Sequence, residues 1–289
     1  MRCWFVVRSL LRVKLLSLGL LWAGVVSAPA DLRADDEAPI TPKETIVLFN
    51  GKDLSNFYTY LGDTKYEDPK RVISVVEQID GAPAIRISGE GEFGGLTTSK
   101  RYTNYKLVAE FRWGDLTWGK RKNAARDSGI LLHGFGPDGA YSKVWLASIE
   151  CQIIEGGVGD FLAVPGVDAN GKPLTPSLTA EIKKDRDGES CWHAGGEKKT
   201  ISSGRINWFG RDPDWKDTLG FRGKVDVESP FREWTKVECD CAGDEITIRV
   251  NGQVVNKATN VSPTAGKLMF QTEGAEIYFR KIELHPLKS

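Results

Sequence analysis

The stretch Tyr105-Lys106-Leu107-Val108-Ala109-Glu110-Phe111-Arg112-Trp113 carries an apolar side chain at every odd position and mostly charged residues between them. That period of two belongs to a β-strand with one buried face. Similar short runs, rich in β-branched and aromatic residues, recur on both sides of it: 45–49, 72–77, 84–88, 129–133, 149–154, 234–241, 245–250, 253–257, 267–271 and 276–284. Asn251-Gly252 between Ile246-Thr-Ile248-Arg-Val250 and Gln253-Val254-Val255 is the signal of a two-residue type I′ hairpin. No dozen residues show the apolar spacing of a long helix. The chain therefore reads as all-β, a sandwich or barrel of many short strands. Only 156–231 breaks the rhythm. Rich in Gly, Lys and Asp, and holding Trp192, Trp208 and Trp215, it reads as a long loop insertion folded over something.

Residues 1–30 carry Arg2, Arg8, Arg12 and Lys14, no acid, and an apolar stretch from Leu15 to Val26 ahead of Ala28-Pro29-Ala30. Twelve apolar residues are too few to cross a bilayer, which needs about 20, so the segment reads as a cleavable secretory signal. The expected location is therefore periplasmic or extracellular, with no membrane insertion after cleavage. Residues 31–44 read as a flexible acidic leader, and 45–289 as one domain. The whole chain has 39 basic and 39 acidic residues. Losing the four basic residues of the signal leaves a small acidic excess with both signs interspersed, which argues against nucleic acid as a partner. Cys151, Cys191, Cys239 and Cys241 remain after cleavage; four cysteines allow three disulfide pairings. Cys239 and Cys241 alternate on one strand and make a poor pair, and the C-x-x-C spacing of a zinc site is absent.

The chemistry concentrates in Arg126-Asp127-Ser128-Gly129-Ile130-Leu131-Leu132-His133 and in Ser148-Ile149-Glu150-Cys151-Gln152-Ile153-Ile154-Glu155-Gly156-Gly157-Val158-Gly159-Asp160-Phe161. In an alternating strand Glu150 and Gln152 share a face with Ile154, while Cys151 and Ile153 point the other way. Two polar groups on one face suggest a lined binding surface, and the plain alternative is the solvent side of a sheet. Glu150 and Glu155 also resemble the spaced carboxylates of retaining β-glucanases. However, Gln152 stands where that motif has Asp, and an offset of five without a bulge sends the two acids to opposite faces.

Taken in order, the motifs resemble the 3-keto-disaccharide hydrolase domain family. They are Phe49-Asn50-Gly51-Lys52-Asp53-Leu54, Asp127-Ser128-Gly129-Ile130 (where Asn is usual for Asp127), Glu150-Cys151-Gln152-Ile153, Gly159-Asp160-Phe161 and the closing Gly266–Gln271 and Ile277–Ile282 runs. The resemblance spans about residues 45–286. It implies a concanavalin-like jelly-roll sandwich of two antiparallel sheets, bacterial export, and cleavage of glycosides already oxidised at carbon 3 by a partner sugar 3-oxidoreductase. A carbonyl at carbon 3 acidifies the proton on carbon 2, so a base removes it, the oxygen on carbon 1 leaves, and water adds.

Such a site needs a base, a group to hold the enolate, and an acid for the leaving oxygen. The expected catalytic residues are His133, Glu150 and Glu155, with His133 as base because imidazole titrates in the useful range. His133 with Glu150 is the candidate pair for a divalent metal ion. Gln152, Asp127, Asp160 and Gln271 are expected to touch the substrate, Trp145 to stack on a sugar face, and Arg112 to line the same concave sheet unless it is a plain surface ion pair. A non-catalytic carbohydrate-binding module and a retaining glycosidase are the alternative functions.

Overall fold

The computed structural model describes residues 37–288. The signal segment and residues 31–36 lie outside the described residues. Strands form two large antiparallel sheets, one of eleven strands and one of eight, with a two-stranded ribbon beside them. The chain crosses repeatedly from one sheet to the other: Phe57–Leu61 lies in the smaller, Ile73–Ile79 and Ala82–Ile87 in the larger, Gly94–Thr98 in the smaller, Tyr105–Thr117 in the larger, and so on to Ala265–Thr272 and Ala275–Pro286. The all-β jelly-roll sandwich expected from the sequence is the fold observed. Among the described residues no helix is long and apolar enough to cross a membrane.

The core lies between the sheets. Tyr105, Leu107, Ala109, Phe111 and Trp113 point inward from the larger sheet, all nearly solvent-free, and meet Ile130, Leu132, Cys151, Ile153, Phe161 and Phe270 from the smaller. The alternation in 105–113 is thus the inward and outward alternation of one long central strand. Asn251 and Gly252 both take positive φ (49° and 85°) and join Val250 to Gln253, the tight hairpin that this dipeptide favours. All four cysteines in the described residues are buried free thiols.

Two sequence expectations about organisation are corrected. Residues 156–231 are not a long loop: they supply Phe161–Val164 and Gly204–Ile206 to the smaller sheet and Ser177–Lys184, Ser190–Trp192 and Glu197–Ile201 to the larger. Lys-rich outward faces hid this alternation; in Ser177–Lys184, Leu178, Ala180 and Ile182 are the core-facing residues. The leader is not flexible throughout. Ile40 pairs with Tyr102 and exchanges backbone hydrogen bonds with Arg101 and Thr103 (2.9 and 3.0 Å), and Pro42 is buried.

Candidate active site

The strand Ala147–Ile154 sits inside the smaller sheet, between Asp127–Phe135 and Phe161–Val164. Residues directly opposite one another on neighbouring antiparallel strands project to the same face. Glu150 is opposite Leu131 on one side and Leu162 on the other, and Leu162 is opposite Arg205. Gln152 is opposite Gly129, with Gln271 on the far side of Gly129. The face turned away from the core therefore carries Asp127, Glu150, Gln152, Arg205 and Gln271 together. These line a hollow of about 380 Å³ that Arg121, Glu273, Tyr141 and Trp145 complete.

Gly129 makes the floor. A Cβ at this position would run into Glu150 Oε1 and Gln271 Oε1, so those two oxygens meet over the one residue that has no side chain. Gly129→Ala leaves a methyl group where the Glu150 carboxyl sits, and both obstructing atoms are ends of flexible side chains that swing aside. We expect turnover to fall about 10- to 100-fold, as displacing a catalytic group by an ångström does, with little change in melting temperature. Loss of the folded state instead of activity would show that Gly129 serves packing alone.

The electrostatics divide the carboxyls. Asp127 is buried, ion-paired with Arg121, and accepts a hydrogen bond from Gln152 Nε2 at 2.9 Å. Burial still pushes it up to about 6 against the pull of Arg121 and Arg205. Glu150 is only 4% exposed and makes no hydrogen bond or ion pair with any of the described residues. Burial, with the nearby Asp127 charge adding to it, pushes Glu150 up to about 8. Glu273 lies 3.8 Å from Arg121 Nη2 and is raised well above the usual carboxyl range by burial and by Asp127 and Glu150. Gln152 Oε1 and Gln271 Oε1 are buried without a hydrogen-bond partner. Buried polar atoms left open in this way are acceptors that a bound molecule can satisfy.

One wall is aromatic. Trp145 donates from Nε1 to the Gly94 carbonyl at 3.0 Å and stacks between Phe93 and Tyr141, with ring centroids 5.9 and 6.0 Å away. The other wall is Arg205, whose Nη1 donates to Asp160 Oδ2 at 3.0 Å. Asp160 is fully buried beneath the wall and also accepts from Arg211 Nη1 and the Trp208 backbone N–H, at 2.8 and 2.7 Å. It positions Arg205 and does not reach the hollow itself.

Four site expectations are corrected, the first being the substrate contact of Asp160, which is buried behind Arg205. His133 lies on the opposite side of the sheet, fully buried, with Nδ1 donating to the Pro263 carbonyl at 2.9 Å and its ring edge-on to Tyr105. The cause is a β-bulge between Leu132 and Phe135: His133 takes φ 53°, and the extra residue reverses the alternation that would have aimed it at Glu150. Burial holds its ring neutral, down at about 4. The pair His133 and Glu150 therefore does not fit a metal ion, and among the described residues no three His, Cys, Asp or Glu side chains are grouped to hold one.

Glu155, one residue past the strand end, is ion-paired with Arg126 (2.6 Å) and accepts from the backbone N–H groups of Arg126 and Gly220. It does not meet Glu150, which removes the carboxylate pair of the retaining-glucanase comparison. Arg112 is on the outer face of the larger sheet, paired with Asp80 at 2.5 Å and set between Trp234 and Tyr278. Sequence reasoning missed Arg121, Arg205 and Glu273. Alternation from Gln271 could have found Glu273; the other two lie in a turn and in the segment read as a loop.

The sequence model of the family described as "3-keto-alpha-glucoside-1,2-lyase-like domain" matches residues 44–285. No curated protein matches the chain. Among solved structures, a glycosyl hydrolase candidate of Parabacteroides distasonis is 18% identical, with 85% of this chain and 94% of that chain aligned at a TM-score of 0.46. A carbohydrate-binding module from Bacillus subtilis is 10% identical over 79% of this chain and 94% of that one, TM-score 0.40. A β-glucanase from Bacillus licheniformis is 11% identical over 85% and 99%, TM-score 0.39.

Proposed function

The chain belongs to the 3-keto-alpha-glucoside-1,2-lyase-like domain family, and from that premise we propose that it cleaves 3-keto-glycosides by elimination, with Glu150 moving the proton. One observation carries the assignment: Glu150 is a buried carboxyl with no partner among the described residues, facing a polar hollow and raised to about 8. Carbon acids next to a ketone are weak, and a carboxylate of raised pKa is a stronger base for them than an ordinary one.

In this reaction the Glu150 carboxylate takes the proton from carbon 2, and the electron pair moves toward the ketone oxygen on carbon 3. The Arg205 guanidinium, held by Asp160, is placed to stabilise that oxygen as it becomes an enolate. The bond from carbon 1 to the leaving oxygen then breaks. Glu273, raised by burial and further by Asp127 and Glu150, supplies the proton that the departing alkoxide needs. Water adding across the resulting double bond completes hydrolysis, and release before that step makes the enzyme a lyase. Asp127 fixes Arg121 and Gln152, while Trp145 and Tyr141 offer an aromatic wall to the ring's C–H face. The chain would act after export, on glycosides oxidised by a separate sugar 3-oxidoreductase.

The test compares a glycoside with its 3-keto form. Release of the leaving group from the keto form alone supports the proposal. Turnover of the unoxidised glycoside, or retention of sugar without any turnover, overturns it in favour of a glycosidase or a binding module. The pH profile supplies a second check. As Glu150 must be ionised to act, kcat/KM on the keto form should climb to about pH 8 and then level. A profile flat between pH 6 and 9 would remove Glu150 from the base role.

A further inference from the structure

A second hollow, of about 450 Å³, opens at the end of the sandwich beside the Arg126–Glu155 pair and shares no lining residue with the Glu150 hollow. Its floor is Glu228, 5% exposed. Oε1 of this carboxyl accepts from Trp113 Nε1 at 2.5 Å. Oε2 accepts no hydrogen bond, and its paired cation, Arg222 Nη1, is 3.8 Å away. Its rim is apolar: Leu219 and Phe231 are 42% and 44% exposed, with Pro230 between them in the lining.

We propose that this hollow is a second binding site, for one neutral sugar ring, independent of the catalytic reading. The size suits a small molecule, for which sites run to about 300–1,000 Å³. The fixed charges are already matched, Arg126 by Glu155 and Arg222 by Asp226, so neither an anion nor a cation finds an unbalanced partner. Burial raises Glu228 to about 8, with Asp226 adding to it, so near neutrality the carboxyl is a neutral acid with one O–H to donate. A ligand with an oxygen acceptor at its inner end and a C–H face for Leu219, Pro230 and Phe231 satisfies both the open carboxyl oxygen and the exposed rim. A pyranose has that combination.

Trp113 reports on the floor directly, since its indole N–H is bound to Glu228. Titrating the indole-¹⁵N-labelled protein with glucose, which has no ketone to react, should move the Trp113 Nε1–H resonance saturably in the millimolar range. Phe231→Ala, at a partly exposed rim position whose ring also lies over the Arg126 guanidinium at 4.2 Å, should weaken the apparent affinity about two- to tenfold, the scale of one lost ring contact. Glu150→Gln should leave the titration unchanged. A Trp113 resonance indifferent to glucose, a shift unaltered by Phe231→Ala, or one abolished by Glu150→Gln each overturns the proposal. None of these results depends on whether the Glu150 hollow is catalytic.

Discussion

Glu150→Gln is expected to lower kcat on a 3-keto-glycoside by about 10³-fold, within the range that positioned proton transfer contributes, and to leave the protein as stable as before or more so. The amide has the shape of the carboxyl, and the position has no partner among the described residues to lose. What disappears is an ionisable group held away from water, and such groups are costly in their charged form. The same substitution has a signature in stability. Because the folded-state value of about 8 lies above the ordinary carboxyl value, the folded chain keeps a proton that the unfolded chain releases. Stability therefore falls as pH rises from about 4.5 to about 8. Glu150→Gln should flatten that slope in part, and Glu228, Asp127 and Glu273, also raised by burial, should supply what remains. Thermal melts across this window together with kcat measure both effects. Wild-type turnover in the variant, or a stability slope it leaves untouched, contradicts the assignment.

Asp160→Ala should act in the opposite sense, harming the fold and the chemistry together. Its carboxyl is fully buried between the Arg211 and Arg205 guanidinium groups and the Trp208 N–H. Removing one partner of a buried ion pair typically costs about 3–5 kcal/mol, because the remaining charge is left uncompensated. For a domain of this size that lowers the melting temperature by roughly 10 °C. Below that temperature the folded enzyme should still be slower, by about 10- to 100-fold in kcat/KM, because Arg205 has lost the group that aims it at the enolate oxygen. An Asp160→Ala protein that melts early yet keeps wild-type kcat/KM while folded would show that Asp160 only holds the structure together.

Local pattern made part of this legible. Strands such as Tyr105–Thr117 and Ala147–Ile154 declare themselves because one face is packed in hydrocarbon, which forces every second residue to be apolar. The same alternation placed Glu150 and Gln152 on one surface with no knowledge of the neighbouring strands. It failed at His133, where the bulge depends on how the strand meets its partners and not on its own residues. It could not show Arg121 or Arg205 either. A guanidinium brought to a site by a turn or an edge strand leaves no periodic trace, and the Lys-rich outward faces of 177–201 masked the strands that carry the chain back to Arg205.

The stretch 156–231 supplies strands to both sheets and lines the Glu150 hollow through 162–165 and 203–205, which limits how the protein could be trimmed. A shortened chain that skips it would not be the same catalyst with a lid removed. It would lack the arginine opposite Tyr141 and Trp145, and it would leave Ala147–Ile154 and Gln253–Ser262 as bare margins ready to pair with another molecule. Minimisation by deletion should therefore produce aggregates, and a smaller working version would have to be sought by recapping those margins.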